Sequence, residues 1–205
     1  MVFGMFVKVC GVRTEADVAA VVAAGADAVG FVLTDSVRRV EPGTARLLAA
    51  GVPPEVLTVG VVHGVPAAEA ARLGLAAGVR AVQLHGGYPR SAFEELAGLP
   101  FQLIRATTLD AGTDVRVGAY GEDLLLLDSP VAGSGERWDL SLLGAAPPEG
   151  KWLLAGGLRP DNVAEAVGAV RPWGVDVSSG VESSRGVKDH DLIHRFVAAA
   201  RTAAA

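Results

Sequence analysis

The sequence predicts a (βα)8 barrel of the TIM type, in the α/β class, from two observations. The 205 residues alternate eight short apolar runs with longer, Ala-rich amphipathic segments. The apolar runs are continuous rather than alternating, which is typical of strands buried on both faces of a parallel sheet. Because no Pro-, Gly- or Ser-rich linker divides the chain, we expect one barrel domain over residues 1–205. A doubly wound open sheet has the same βα alternation and stays the alternative.

The predicted strands take up the apolar runs in chain order. They are Phe6–Val9, Ala28–Val32, Leu57–Val62, Ala81–Leu84, Phe101–Ala106, Leu124–Leu127, Trp152–Ala155 and Val175–Val177. An internal similarity supports the repeated unit, because residues 23–31 resemble residues 76–84 at an offset of 53 residues. This similarity indicates either a half-barrel repeat or the convergence of two helix-to-strand junctions on one pattern.

The helices are predicted from their starting residues. One runs from Thr14 to Ala24, others begin near Pro42, Pro66, Ser91 and Pro160, and the last runs from Asp189 to Ala203. Thr is a favourable N-cap, and Pro is tolerated in the first helical turn because its missing N–H would have no partner there. The segments after the fifth and sixth strands have weak helical periodicity, so helices five and six are expected to be short or missing.

Composition and charge exclude several classes of protein. A net charge of −5 without a basic run argues against nucleic acid as a partner. No uncharged stretch reaches the roughly 18 residues that a membrane span needs. The single cysteine excludes an internal disulfide or a cysteine-cluster metal site. The N-terminus lacks the features of a signal peptide, so we expect a cytoplasmic protein with no membrane partner.

Residues at the carboxyl ends of the strands are the candidates for chemistry, because a parallel barrel builds its site there. Cys10 follows strand one and precedes a glycine, and a thiolate can act as nucleophile or general base. Asp128 follows four leucines, and partial desolvation there is expected to raise its pKa and suit it to proton donation. His85 is the histidine that ends strand four, whereas His63, after strand three, receives no role.

The loops after strands seven and eight are candidates for binding a phosphate. Gly156 and Gly157 follow strand seven, and Ser179 and Gly180 follow strand eight. Their backbone N–H groups can converge on an anion, and these two loops are the usual phosphate position in this fold. Arg38, after strand two, is suited to a carboxylate. The residues therefore predict a small phosphosugar enzyme that uses acid–base chemistry, with no metal and no cofactor.

Motifs along the whole chain resemble the phosphoribosylanthranilate isomerase family of tryptophan biosynthesis. They are Lys8-Val9-Cys10-Gly11, residues 25–31, Ser36-Val37-Arg38, residues 82–86, Leu126-Leu127-Asp128, Gly133-Ser134-Gly135, residues 155–163, residues 175–182 and Gly186-Val187-Lys188-Asp189. The resemblance implies a (βα)8 barrel and an Amadori rearrangement of N-(5-phosphoribosyl)anthranilate to 1-(2-carboxyphenylamino)-1-deoxyribulose 5-phosphate.

The resemblance also implies roles for single residues. Cys10 would be the general base and Asp128 the general acid. Arg38 would hold the anthranilate carboxylate, and Asp176 would orient the amine. The two glycine-containing loops would hold the phosphate, and His85 is expected to be a further substrate-binding residue. The expected partner is a small phosphorylated substrate, and the protein is expected to be a monomer or a homodimer.

Three other functions stay open at this point. The first is a histidine-pathway or bifunctional sugar isomerase, although those enzymes carry aspartate where Cys10 stands. The second is a lyase or epimerase that uses a metal or a Schiff-base lysine. Lys8 would be that lysine, but we expect it to form a structural ion pair. The third is a non-catalytic barrel that binds a phosphosugar.

Overall fold

Eight parallel strands close into a barrel in chain order, as the sequence predicts. The computed structural model describes residues 4–110, 112–128 and 148–203. The strands are β1 (Phe6–Cys10), β2 (Ala28–Val32), β3 (Leu57–His63), β4 (Ala81–His85), β5 (Gln102–Thr108), β6 (Leu124–Asp128), β7 (Trp152–Leu154) and β8 (Gly174–Val177). The final strand pairs with β1, so the described barrel has no open edge.

Helices cover the outside of the barrel. They are α1 (Glu15–Ala23), α2 (Pro42–Ala50), α3 (Ala67–Ala77), α4 (Arg90–Leu96), α5 (Val163–Val170) and α6 (His190–Ala203). Between β8 and α6 lie a 3₁₀ turn (Ser179–Val181) and a small antiparallel hairpin, β9 (Glu182–Ser184) and β10 (Val187–Lys188). No helix in the described ranges is long and apolar enough to span a bilayer.

Local side-chain contacts set where α1 and α5 begin. The Thr14 hydroxyl accepts the Asp17 N–H at 3.1 Å, and the Asp17 carboxylate accepts the Thr14 N–H at 3.2 Å, which is a capping box. Helix α5 starts at Val163 rather than near Pro160. The reason is Asn162, whose side chain accepts the N–H of the nearby Arg159 at 2.7 Å and so holds a turn before the helix.

A non-helical segment covers the outside of β5. In residues 109, 110 and 112–123 the structure contains turns and no helix, which confirms the expectation for helix five. The segment is held by Arg105, whose guanidinium lies 2.8 Å from the Glu122 carboxylate, donates to the Asp114 carbonyl at 2.7 Å and stacks 4.5 Å from the Tyr120 ring. The segment predicted to hold helix six, and the Gly133-Ser134-Gly135 motif, lie outside the described residues.

The inside of the barrel changes from apolar to polar along its axis. Apolar side chains such as Val59, Ile104 and Leu153 fill its interior. Nearer the carboxyl ends of the strands, the buried side chains include Lys8, Gln83 and Asp176. Burying polar side chains costs free energy, so a polar layer inside a barrel indicates a role other than packing. This layer lies at the carboxyl ends of the strands, where a barrel of this type carries its functional site.

We expect Gly174→Ala to destabilise the barrel closure by about 1–3 kcal/mol, because the new methyl group overpacks the seam between β7, β8 and β1. A Cβ at this position would lie 2.6 Å from the Phe6 carbonyl oxygen and 2.6 Å from Leu153 Cδ2. The matched control is Gly168→Ala in α5, where a Cβ meets no atom within 4 Å. That change should stabilise the protein by about 0.5–1 kcal/mol through helix propensity. Urea unfolding measures both; equal effects in the two variants would contradict the prediction.

Candidate functional site

A cleft of about 320 Å³ opens at the carboxyl ends of the barrel strands. All nine residues that the sequence singled out line it. They are Cys10, Arg38, His85, Asp128, Gly156, Gly157, Asp176, Ser179 and Gly180. These nine residues come from six separate stretches of chain, as expected when strand ends converge on one face of a barrel.

Cys10 lies in a polar environment inside the barrel wall. It ends β1, and Lys8 lies on the same inner face, two residues earlier. The Lys8 ammonium is fully buried and lies 2.8 Å from the Asp176 carboxylate of β8. In the pairing of β1 with β8, Lys8 is directly opposite Asp176. This confirms the expected structural ion pair.

Burial and charge act in opposite directions on these two groups. Burial raises the pKa of the Cys10 thiol above its ordinary value of 9.0, and the Lys8 ammonium only partly offsets that effect. For Lys8, burial alone would lower the pKa, but the Asp176 carboxylate and Cys10 raise it above 10.5. At neutral pH, Lys8 is therefore charged and Cys10 carries its proton in the free protein.

Asp128 lies across the cleft from Cys10. It ends β6, and two strands, β7 and β8, separate β6 from β1 in the barrel. The Asp128 backbone is fixed by parallel pairing with Thr108 of β5 and by the Leu109 N–H, which donates to the Asp128 carbonyl at 3.0 Å. Both Asp128 and Cys10 line the cleft, so a molecule bound there has a carboxyl group on one side and a thiol on the other.

His85 is a neutral imidazole beside the cleft at physiological pH. Burial lowers the pKa of His85 below 6.5, and His63 and Lys8 lower it further. The two histidine rings lie edge to face, with centroids 6.0 Å apart. His63 ends β3, is exposed and also lines the cleft. A neutral His85 can both donate and accept a hydrogen bond.

The loops after β7 and β8 meet at the far side of the cleft. A Cβ on Gly180 would overlap the Leu158 carbonyl oxygen, so this glycine permits the two loops to touch. The N–H groups of Gly157, Ser179 and Gly180 donate to no backbone acceptor within the described ranges. The Gly157 carbonyl is held by the Asn162 side-chain amide at 3.0 Å. Converging N–H groups of this kind form a site for an anion.

Arg38 is held in place by a carboxylate that the sequence prediction did not include. Its Nε and Nη2 donate to the two oxygens of Glu182 at 2.6 and 2.8 Å. Lys188 lies 3.0 Å from the same carboxylate. In the sequence, Glu182 and Lys188 were noted only as members of the family motifs. Spacing alone does not reveal that Glu182 contacts Arg38, because the two residues are 144 positions apart.

Gln83 is a further cleft residue that the sequence prediction did not select. It lies in the middle of β4 and is 2% exposed. Its side-chain oxygen has no hydrogen-bond partner among the described residues. The signal was present in the sequence, because a glutamine inside an otherwise apolar buried strand is unusual.

In residues 4–110, 112–128 and 148–203, no three His, Cys, Asp or Glu side chains are grouped so that they could hold a metal ion.

Comparison with known proteins identifies the relatives of this chain. The family model for N-(5'phosphoribosyl)anthranilate (PRA) isomerase matches residues 7–199. An N-(5'-phosphoribosyl)anthranilate isomerase from Haloferax volcanii is 43% identical over 209 residues, which cover 96% of this chain and 93% of the relative.

Solved structures agree with this relationship. The crystal structure of TrpF from Jonesia denitrificans is 48% identical, with a TM-score of 0.90 over 97% of this chain and 98% of that one. A phosphoribosyl anthranilate isomerase in complex with reduced 1-(o-carboxyphenylamino)-1-deoxyribulose 5-phosphate is 33% identical. Its TM-score is 0.80, over 97% of this chain and 99% of that one. This chain belongs to the N-(5'-phosphoribosyl)anthranilate isomerase family.

Proposed function

We propose that this protein catalyses the Amadori rearrangement of N-(5'-phosphoribosyl)anthranilate to 1-(2-carboxyphenylamino)-1-deoxyribulose 5-phosphate, a step of tryptophan biosynthesis. The proposal rests on one observation: this chain belongs to the isomerase family, and its cleft has a thiol on one side and a carboxyl group on the other. Cys10 is the single cysteine of the chain, and Asp128 ends a strand across the barrel. An isomerisation of this kind needs one group to give a proton and another to take one.

The proposed reaction begins at Asp128. Its carboxyl group protonates the furanose ring oxygen, the lone pair of the anthranilate nitrogen expels that oxygen, and the ring opens to an iminium ion. Cys10, as the thiolate that forms when its proton passes to solvent, then removes the proton from C2, which gives an enolamine. Protonation of this enolamine at C1 and loss of the enol proton give the ketose. Proton transfers alone balance the reaction, without an oxidant or a reductant.

The raised pKa of Cys10 fits a base that acts late in the reaction. In the free protein the thiol holds its proton, and a thiolate of high pKa is a strong base once formed. The positive charge of the iminium favours the thiolate electrostatically and acidifies the neighbouring C2 proton. We propose that Lys8 supports the same state from one layer below, because its ammonium lowers the pKa of the thiol.

Local positive groups account for binding of an anionic substrate by a protein with net charge −5. We propose that the loop glycines and Ser179 hold the phosphate through backbone N–H groups. In this arrangement Arg38 holds the anthranilate carboxylate, Asp176 orients the amine, and neutral His85 hydrogen-bonds the sugar. Phosphate and carboxylate then bind to different loops, and this attachment at two points fixes the reacting carbons between Cys10 and Asp128.

The remaining sequence expectations are part of the same proposal. The reaction as written requires neither a metal nor another cofactor. Its partner is the small phosphorylated substrate, not nucleic acid or a membrane. We propose a cytoplasmic enzyme made of one barrel domain, as a monomer or a homodimer.

Cys10→Ala and Asp128→Asn should each lower kcat by at least about 100-fold, because each removes one of the two proton-transfer groups. Both variants should still bind reduced 1-(o-carboxyphenylamino)-1-deoxyribulose 5-phosphate, measured by calorimetry. The control is Asp123→Asn, at the opposite end of the Asp128 strand, where the side chain accepts the Leu103 N–H at 2.7 Å. Its kcat should match that of the wild type. Turnover above one-tenth of the wild-type rate in the Cys10 or Asp128 variant would show that the roles are misassigned.

Alkylation of the sole cysteine should titrate above pH 9.0 in the folded protein, because burial raises the pKa of Cys10. The thiolate is the reactive form, so the rate of iodoacetamide labelling rises as the pH approaches that pKa from below. The same titration in urea serves as the control, with an ordinary midpoint. A folded-state midpoint below the unfolded one would contradict the account of the thiol environment.

Activity should persist after dialysis against a chelator, since no step uses a metal. In the same assay, the aminoaldose phosphate substrate of the histidine-pathway isomerase should not be turned over, because Cys10 stands where that family carries aspartate. Product formation is followed by chromatography for both substrates. Turnover of the histidine-pathway compound alone would refute the proposed function, and loss of activity with chelator would refute the metal-free mechanism.

A further inference from the structure

We infer that Glu182 and Lys188 are positioning residues that hold Arg38 in a fixed orientation for the substrate carboxylate. This inference rests on the proposed function, in which Arg38 binds that carboxylate. Its subject is the group formed by Arg38, Glu182 and Lys188, which we call the arginine clamp. The clamp joins the loop after β2 to the β9–β10 hairpin, and no proton-transfer step uses it.

The geometry of the clamp leaves half of the guanidinium available. Arg38 donates from Nε and Nη2 to the two oxygens of Glu182, which is the side-on edge of the fork. No described residue accepts a hydrogen bond from its Nη1. A guanidinium has a second edge, formed by Nη1 and the remaining Nη2 proton, that can bind another carboxylate at the same time. Arg38 lines the cleft, so a substrate carboxylate can reach it there.

Lys188 keeps the clamp positive. An arginine paired with one glutamate has no net charge, and a neutral pair attracts an anion only weakly. The Lys188 ammonium, 3.0 Å from Glu182 and almost fully buried, restores one positive charge. Although burial opposes ionisation of Glu182, hydrogen bonds from Arg38, the Gly186 N–H and Lys188 lower the pKa of Glu182 to about 2. Burial lowers the pKa of Lys188, an effect that the Glu182 carboxylate opposes. With Lys188 protonated, the clamp carries a net charge of +1.

Separate parts of the chain fix the clamp in place. Lys188 also donates to the Ser178 carbonyl at 2.8 Å, immediately before the proposed phosphate loop. On the other side, a Cβ on Gly11 would lie 2.6 Å from Arg38 Cδ and 3.1 Å from Ser178 Oγ. The glycine after Cys10 thus provides the space in which the arginine stem packs. A pre-oriented fork loses less conformational entropy when the substrate binds than a free arginine would.

A purely electrostatic role and a positioning role predict opposite changes in the affinity for the substrate carboxylate when Glu182 is replaced. Removing the negative charge of Glu182 leaves the site more positive, so electrostatics alone would tighten the binding of an anion. If Glu182 instead orients Arg38, removing it weakens the binding of the carboxylate despite the added positive charge. The effect must also depend on the presence of both the substrate carboxylate and Arg38.

The test measures the affinity of two ligands for Glu182→Gln by calorimetry. One is reduced 1-(o-carboxyphenylamino)-1-deoxyribulose 5-phosphate, and the other is the same compound without the aromatic carboxyl group. We expect Kd for the carboxylated ligand to rise by roughly tenfold or more and Kd for the other to change less than about twofold. KM should rise with the first Kd, while kcat stays within about threefold of the wild type.

Two further variants make the result specific. In an Arg38→Met background, adding Glu182→Gln should cause no further loss of affinity, because the positioned group is absent. The matched control is Glu41→Gln, which removes the exposed partner of the neighbouring Arg39, at 2.9 Å. That variant should bind both ligands as the wild type does. Urea unfolding of each variant identifies any loss of folding.

The outcomes separate this inference from the proposed function. Unchanged or tighter binding of the carboxylated ligand by folded Glu182→Gln would overturn the inference, as would a full additional loss in the Arg38→Met background. If Arg38→Met itself left the affinity for the carboxylated ligand unchanged, the proposed role of Arg38 would fail. Lys188→Met provides a second test. It keeps the Arg38–Glu182 pair, and it should also weaken the binding of the carboxylated ligand more than that of the other ligand.

Discussion

The buried ion pair between Lys8 and Asp176 connects the fold to the site. It lies at the seam where β1 meets β8, so the same contact that completes the barrel also places an ammonium beneath Cys10. Breaking a buried pair by removing one partner typically costs about 3–5 kcal/mol, because the remaining charge is left without compensation. The pair thus specifies how the barrel closes, and its two charges act on the thiol in opposite directions: the Lys8 ammonium lowers the pKa of Cys10 and the Asp176 carboxylate raises it.

The net charge of this protein does not describe the charge of its cleft. The chain is acidic, yet the cleft presents backbone N–H groups at the loops after β7 and β8 and a net positive clamp around Arg38. Both features sit on the same short segment after β8, which supplies Ser179, Gly180, Glu182 and Lys188. Under the proposed function, this single segment would contribute to binding both the phosphate and the carboxylate of the substrate.

The strands were predictable because their burial on two faces requires continuous apolar runs, and each observed strand differs from its prediction by at most two residues at either end. The weak helical periodicity after strand five correctly predicted that the helix there is short or missing. The buried Arg105–Glu122 pair that holds the turns in its place was not predictable, because a contact between a strand residue and a loop residue 17 positions later leaves no periodic signal. Helix α5, after β7, begins at Val163 and not near Pro160 as predicted. The reason is that the Asn162 side chain competes with the helical backbone for hydrogen bonds.

The sequence by itself determined the barrel, the family and the nine candidate site residues, since residue type at a strand end is a local property. Only the tertiary structure decided what surrounds them. The pairing of Lys8 with Asp176 joins residues 168 positions apart, and that of Arg38 with Glu182 joins residues 144 apart. The buried Gln83 belongs to the same cleft. The physical reason is that pKa values, charge balance and side-chain orientation depend on contacts across the closed barrel, and no local pattern encodes these.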